Sequence, residues 1–156
     1  MIRPRVFVDA DVLFCGAVAP TTQGASHIVL CLAEITLLDA VTSAQAVAEA
    51  ERNLAGKLPS SLPTFRLLVD RCLRLVPDPE PTDLGAYIGC ADPKDLPILV
   101  AAVQSGCKYL VTFNLRHFRP GHPDLTVLRP GDLVFRLREL LVGLDPRQGP
   151  GSPRLR

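Results

Sequence analysis

Apolar positions fall in short, β-branched runs that alternate with longer stretches of helical period. RVFVD, residues 5 to 9, reads as a central parallel strand covered on both faces, with Asp9 at its C-terminal end. A helix starting at Val12 follows, then one from about Ser26 to Leu38, where Ile28, Leu32 and Ile35 recur at helical spacing. LLDAVTS predicts a second strand. Ser43 is placed to cap a helix over Ala44 to Leu58, whose apolar stripe of Val47, Leu54 and Leu58 contains Glu51, while Glu49 lies opposite it. Leu62 to Leu75 is amphipathic and leads into the strand LRLVP. DPKDLPILVAAVQSG predicts a helix ending at Gly106, with Asp92 as cap, Pro93 at the first position and Asp95 at the third. KYLVTFN is a strand ending at Asn114, and a strand at TVLRP and a helix from Asp132 to Leu144 complete the chain. Strands alternating with helices predict an α/β fold with a parallel sheet.

The acidic, Pro-rich segment PDPEPTD, residues 77 to 83, is too short for a domain linker and reads as a surface connection. A single domain over 1–144 is expected, followed by a disordered basic tail over 145–156. With 156 residues and 47% hydrophobic composition, the chain suffices to bury a sizeable core. Asp9 and Asp11 interrupt the apolar N-terminal stretch, which argues against a signal peptide or membrane span, so a cytoplasmic location is expected. Cys15, Cys31, Cys72, Cys90 and Cys107 form no CxxC pair and read as small buried hydrophobes. A net charge of +1 provides no strong overall field, so any nucleic-acid contact must come from a local patch.

Candidate chemistry lies at four places: VDAD (Asp9, Asp11), AEAE (Glu49, Glu51), DPKD (Asp92, Asp95) and TFN (Thr112, Asn114). In an open parallel sheet, ligands bind beyond the C-terminal strand ends where the strand order reverses, so Asp9 and Asn114 would meet there if their strands are neighbours. Oxygen donors gathered in this way suit Mg²⁺ or Mn²⁺ and phosphate esters. Capping also accounts for Asp92 and Asp95, and Asp11 either caps the helix at Val12 or supports the cluster. Arg116, His117, Arg119 and His122 form a modest basic patch or an ordinary solvated loop, and His117 alone reads more readily as a surface residue than as a phosphate contact.

VFVDADVLF, SAQAVAEAERNL, DPKDLPILVAA and YLVTFNLRHF, in this order and spacing, resemble the four signature blocks of PIN-domain proteins. The resemblance implies one three-layer domain with a parallel sheet ordered 3-2-1-4-5. It places the family's acidic residues on Asp9, Glu49 (favoured over Glu51 by its spacing from Ser43), Asp95 and the position held here by Asn114. Asp9, Asp95 and Glu49 would then hold Mg²⁺ or Mn²⁺ and Asn114 would complete the catalytic set. The implied activity is endoribonucleolytic cleavage of RNA, as in the toxin of a toxin–antitoxin pair, with a homodimeric state and a short antitoxin partner. At Asn114 and His117 the chain departs from the acidic residues frequent in the family, which leaves a PIN-like protein binding RNA or a partner without cleavage as an alternative. VDADVL also resembles the first motif of haloacid-dehalogenase-type phosphatases. Val12-Leu13 replaces that motif's Gly-Thr, and no matching lysine or paired aspartates follow.

Overall fold

The computed structural model describes residues 3–18 and 24–143. Five short strands, β1 (Arg5–Val8), β2 (Asp39–Ser43), β3 (Arg74–Val76), β4 (Tyr109–Val111) and β5 (Thr126–Leu128), pair in parallel in the order β3-β2-β1-β4-β5. This is the order implied by the resemblance. Val6, Phe7 and Val8 are all buried although neighbouring side chains point to opposite faces, so β1 is covered on both sides.

Among the described residues, six α-helices flank the sheet: α1 (Ala10–Val18), α2 (Ala25–Glu34), α3 (Ala44–Lys57), α4 (Leu62–Cys72), α5 (Leu96–Gln104) and α6 (Pro130–Val142). α1 to α4 pack on one another, α2 also meets α6, and α5 packs on β2 and β4. Strands are added to one side of β1 as far as β3, and β4 is then added to the other. With right-handed crossovers, this reversal sends α5 to the opposite face of the sheet from α2 and α3. The two strands at the reversal, β1 and β4, carry the candidate residues at their ends.

Several boundaries differ from the sequence pattern. α2 stops at Glu34 and not near Leu38, because Thr36 adopts a left-handed conformation (φ 65°) and the Leu37 N–H closes back on Leu32 O at 2.9 Å. No glycine marks this stop. In α3 the core-facing positions are Ala46, Ala50 and Leu54, while Leu58 is exposed and Val47 only half-buried. Small alanines, which a hydrophobic stripe does not weight strongly, thus rotate the buried face away from the predicted one. Ser43 caps α3 as expected, accepting the Ala46 N–H at 3.3 Å. α5 starts at Leu96, not Pro93. Asp92 and Asp95 form a preceding turn in which the Asp92 carbonyl accepts from Asp95 and Leu96, and Pro97 occupies the first turn, where its missing N–H costs nothing. The proposed tail, residues 145–156, lies outside the described residues.

All five cysteines are free. Cys72 and Cys107 are buried and burial pushes their thiols up to about 11 and about 12, whereas Cys31 is exposed, so the buried-hydrophobe reading fits only part of the set. No described helix is long and apolar enough to cross a membrane.

Candidate active site at the β1–β4 switch point

Asp9 follows β1 directly and immediately precedes α1. Its N–H extends the sheet by donating to Val111 O (3.0 Å), and its carbonyl accepts from Val12 and Leu13 (3.1 Å each). One side-chain oxygen accepts the Ala10 N–H at 2.8 Å and the other accepts the Thr112 hydroxyl at 2.9 Å. The carboxyl is nearly buried, at 8% exposure. Burial, first, and the neighbouring Asp11 charge, second, push its pKa up to about 7 against the pull of the Ala10 and Thr112 hydrogen bonds; the Glu49 charge adds to the rise.

Asp11 is not a helix cap, because α1 has already begun at Ala10. Its side chain instead bridges to the end of β4: Oδ2 accepts the Phe113 N–H at 2.9 Å and the Asn114 side-chain amide at 3.3 Å. Its Oδ1 is buried with no hydrogen-bond partner. Burial raises this carboxyl too, opposed by the Phe113 N–H.

Thr112 joins the two acids. Its hydroxyl lies 2.9 Å from Asp9 Oδ2 and 3.3 Å from Asp11 Oδ2, and it accepts the Asn114 N–H at 3.1 Å. A hydroxyl has one proton, so the shorter contact to Asp9 is the better hydrogen bond. Sequence reasoning left Thr112 undecided between orienting a ligand and filling a strand; here it is the hub. Asn114 lies beyond the last strand residue and turns its NH₂ towards Asp11, a position where a carboxylate would face another carboxylate at 3.3 Å.

The remaining predicted residues are disposed differently. Glu49 is exposed on α3, and its charge is felt at Asp9. Glu51 is engaged elsewhere, by Arg66 of α4 at 3.2 Å. Asp95 does not join Asp9 in a group of mutually close donors; it faces His117, whose Nδ1 is 3.2 Å from Asp95 Oδ2. His117 is therefore half-buried against an acid and is not the lone surface residue that its sequence context suggests. Of the basic patch, Arg116 and Arg119 are exposed, while His122 packs against the Tyr87 ring with centroids 5.6 Å apart.

A groove of about 1130 Å³, lined by Leu32, Tyr109 and Leu137 among others, lies at the other end of the sheet, where β1, β2 and β4 begin. None of the candidate site residues lines it. There Asp39 receives Arg5 Nε at 2.6 Å and Arg74 Nη2 at 3.1 Å, tying the first residues of three strands together.

A parallel five-stranded α/β domain whose strand order reverses between β1 and β4 puts Asp9 and Asp11 at the crevice where open parallel sheets of this class bind ligands. The PIN-domain family model matches residues 5–116, and the chain belongs to that family, whose members are generally nucleases. Among solved structures, the fold is similar to a chain in the crystal structure of VapBC2 from Rickettsia felis bound to a DNA fragment from their promoter. The TM-score is 0.59 at 15% identity, covering 80% of this chain and 98% of that one. No curated protein matches the chain.

Proposed function

We propose that the protein is a divalent-metal-dependent endoribonuclease acting as the toxin of a toxin–antitoxin pair. The observation that carries this reading is the Asp9–Asp11 pair: two adjacent carboxyls, both raised by burial, at the reversal point of a PIN-family sheet. Such a pair is unfavourable without a cation. The donors fit one: Asp11 Oδ1 and Asp95 Oδ2 are buried oxygens without hydrogen-bond partners, and oxygen donors of this kind suit Mg²⁺ or Mn²⁺.

In this reading Asp9, Asp95 and Glu49 hold the ion, Asp11 supports them from beside Asp9, and Asn114 completes the catalytic set, with its amide carbonyl as the available donor. The chemistry such an ion supplies when bound is a more acidic attacking water and charge neutralisation on the phosphate. Thr112 fixes the Asp9 carboxyl in place, and in this reading the exposed Arg116 and Arg119 would meet backbone phosphates of RNA. A short antitoxin, supported by the likeness to VapBC2, belongs to the same reading, as do a homodimeric state and a cytoplasmic location.

The test is cleavage of a panel of structured and single-stranded RNAs by the full chain with Mg²⁺ or Mn²⁺, with and without chelator, alongside Asp9→Asn. Cleavage lost in both the chelated and the variant samples supports the proposal. Wild-type protein that leaves every RNA intact, or cuts equally well in chelator, sinks it. A phosphorylated Asp9 trapped with small phosphate esters would move the protein to phosphoryl-transfer chemistry.

A further inference from the structure

We infer that the groove at the end of the sheet where β1, β2 and β4 begin is a docking surface for an acidic amphipathic helix of another protein. Two of its walls are helices whose lining residues recur at helical spacing: Ile28 and Leu32 on α2, and Val134, Leu137 and Leu141 on α6. Each wall therefore presents an apolar row along its helix, and the groove they border has a volume of about 1130 Å³. A third helix fits between two such rows when its own apolar residues fall at i, i+3 or i+4 and i+7. The row from Val134 to Leu141 runs about 10 Å, or two turns, which sets the length of the contact. Leu141, at its end, is 45% exposed, so the described residues leave this apolar surface uncovered.

The charge around the groove selects the kind of helix. Arg3, Lys108 and Arg138 stand among the lining residues, and none of the ion pairs among the described residues uses them. Asp39, the one acid among the described lining residues, is already taken by Arg5 and Arg74. An apolar floor with an unmatched cationic rim is complementary to a helix that carries leucine-like residues on one face and Asp or Glu at its margins. The same rim disfavours the two occupants that this chain could itself supply. A second copy seated face to face would set cations against cations. The segment 145–156 holds Arg147, Arg154 and Arg156 against Asp145, and it contains Pro146, Pro150 and Pro153, the residue type least suited to a helix interior.

The groove and the Asp9–Asp11 pair occupy opposite ends of the sheet, so this inference does not rest on the nuclease reading. The probe is a synthetic peptide of about 15 residues, with leucine at helical spacing and glutamate elsewhere, beside a counterpart with lysine in place of glutamate. Followed through the backbone amides of the full chain, the glutamate peptide is expected to shift residues 28–37 and 134–142 and to leave 112–117 in place. Arg138→Glu, Lys108→Glu and Leu141→Glu should each weaken its binding by ~10-fold or more. Their amide spectra without peptide show that folded proteins are being compared, and any RNA cleavage should stay within about twofold of wild type in Leu141→Glu. An absence of shifts at ~1 mM peptide overturns the proposal, as do equal binding of the lysine counterpart and shifts confined to 112–117. Sedimentation of the free chain closes the test: self-association that Leu141→Glu abolishes would give the groove to a second copy. Movement of the amides of residues 150–156 in Leu141→Glu would give it to the chain's own C-terminal segment, and either result overturns the proposal.

Discussion

The Thr112 hydroxyl reaches Asp9 Oδ2 at 2.9 Å across the junction of β1 and β4. The pairing that makes this possible is Val8 opposite Val111, which puts the two polar residues next in line on adjacent strands. Through Thr112, the end of β4 lowers the pKa of the carboxyl that follows β1, against the larger opposing effect of burial.

Replacing that hydroxyl tests the link. Thr112→Val keeps the shape but removes a hydrogen bond that lowers the Asp9 pKa, so Asp9 should titrate above its present value of about 7. Stability should fall by ~1–3 kcal/mol, because the Asn114 N–H also loses its acceptor. Carboxyl ¹³C titration of metal-free protein measures the first effect and urea unfolding the second; an unmoved Asp9 titration would contradict the assignment.

The pH dependence of metal-free stability follows from the same carboxyl. Folded Asp9 keeps its proton up to about 7, against an ordinary value of 3.8. Between these values the folded state binds more protons than the unfolded one, so this group makes stability decline as pH rises through the window. In chelator, Asp9→Asn should therefore be more stable than wild type by ~2–4 kcal/mol near pH 8, with the difference closing below about pH 4. Wild type that gains stability relative to the variant over this range would reverse the sign and defeat the prediction.

Asp39 behaves in the opposite way. Burial would raise its carboxyl, but the hydrogen bonds and charges of Arg5 and Arg74 outweigh it and hold the pKa below the usual range. Its contribution is therefore present above the unfolded carboxyl value and is lost as pH falls through the folded one. Since both arginines are partly exposed, Asp39→Asn should cost only about 1 kcal/mol at neutral pH. The cost should vanish in strong acid, as thermal melts across pH will show.

Two glutamates on α3 are expected to separate cleanly. Glu49→Gln should reduce RNA cleavage by ~10–100-fold, as loss of a group supporting a metal site does. Glu51→Gln breaks only the surface pair with Arg66 and should leave cleavage within about twofold of wild type. Equal losses in both variants would remove the distinction between the two glutamates.

Asp9 was legible in the sequence because the β-branched apolar run RVFV terminates visibly at it, whereas Asn114, read as the end of its strand, lies three residues beyond Val111, where β4 stops. Sheet order came only with the family resemblance, since no local pattern states which strands pair. Thr112 could not be recognised as a hub, because threonine is favoured in strands regardless of what its hydroxyl touches. Asp11 near a helix start suggested a cap, and only the proximity of β4 reveals that its carboxylate reaches Phe113 and Asn114 instead. The approach of His117 to Asp95 likewise depends on how the segment after β4 folds back on the turn before α5, a relationship that sequence spacing does not encode.

The Arg5–Asp39–Arg74 clasp has a consequence for how this domain can change. It fastens the strands at the edge of the sheet remote from Asp9, so the machinery of cohesion and the repelling acids occupy separate ends of the molecule. Drift at the acidic end, such as amide for acid at position 114, can retune ligand preference while strand pairing is secured elsewhere. The far end carries a different load: its losses would loosen β1, β2 and β3 together, whatever the chemistry at the other end had become.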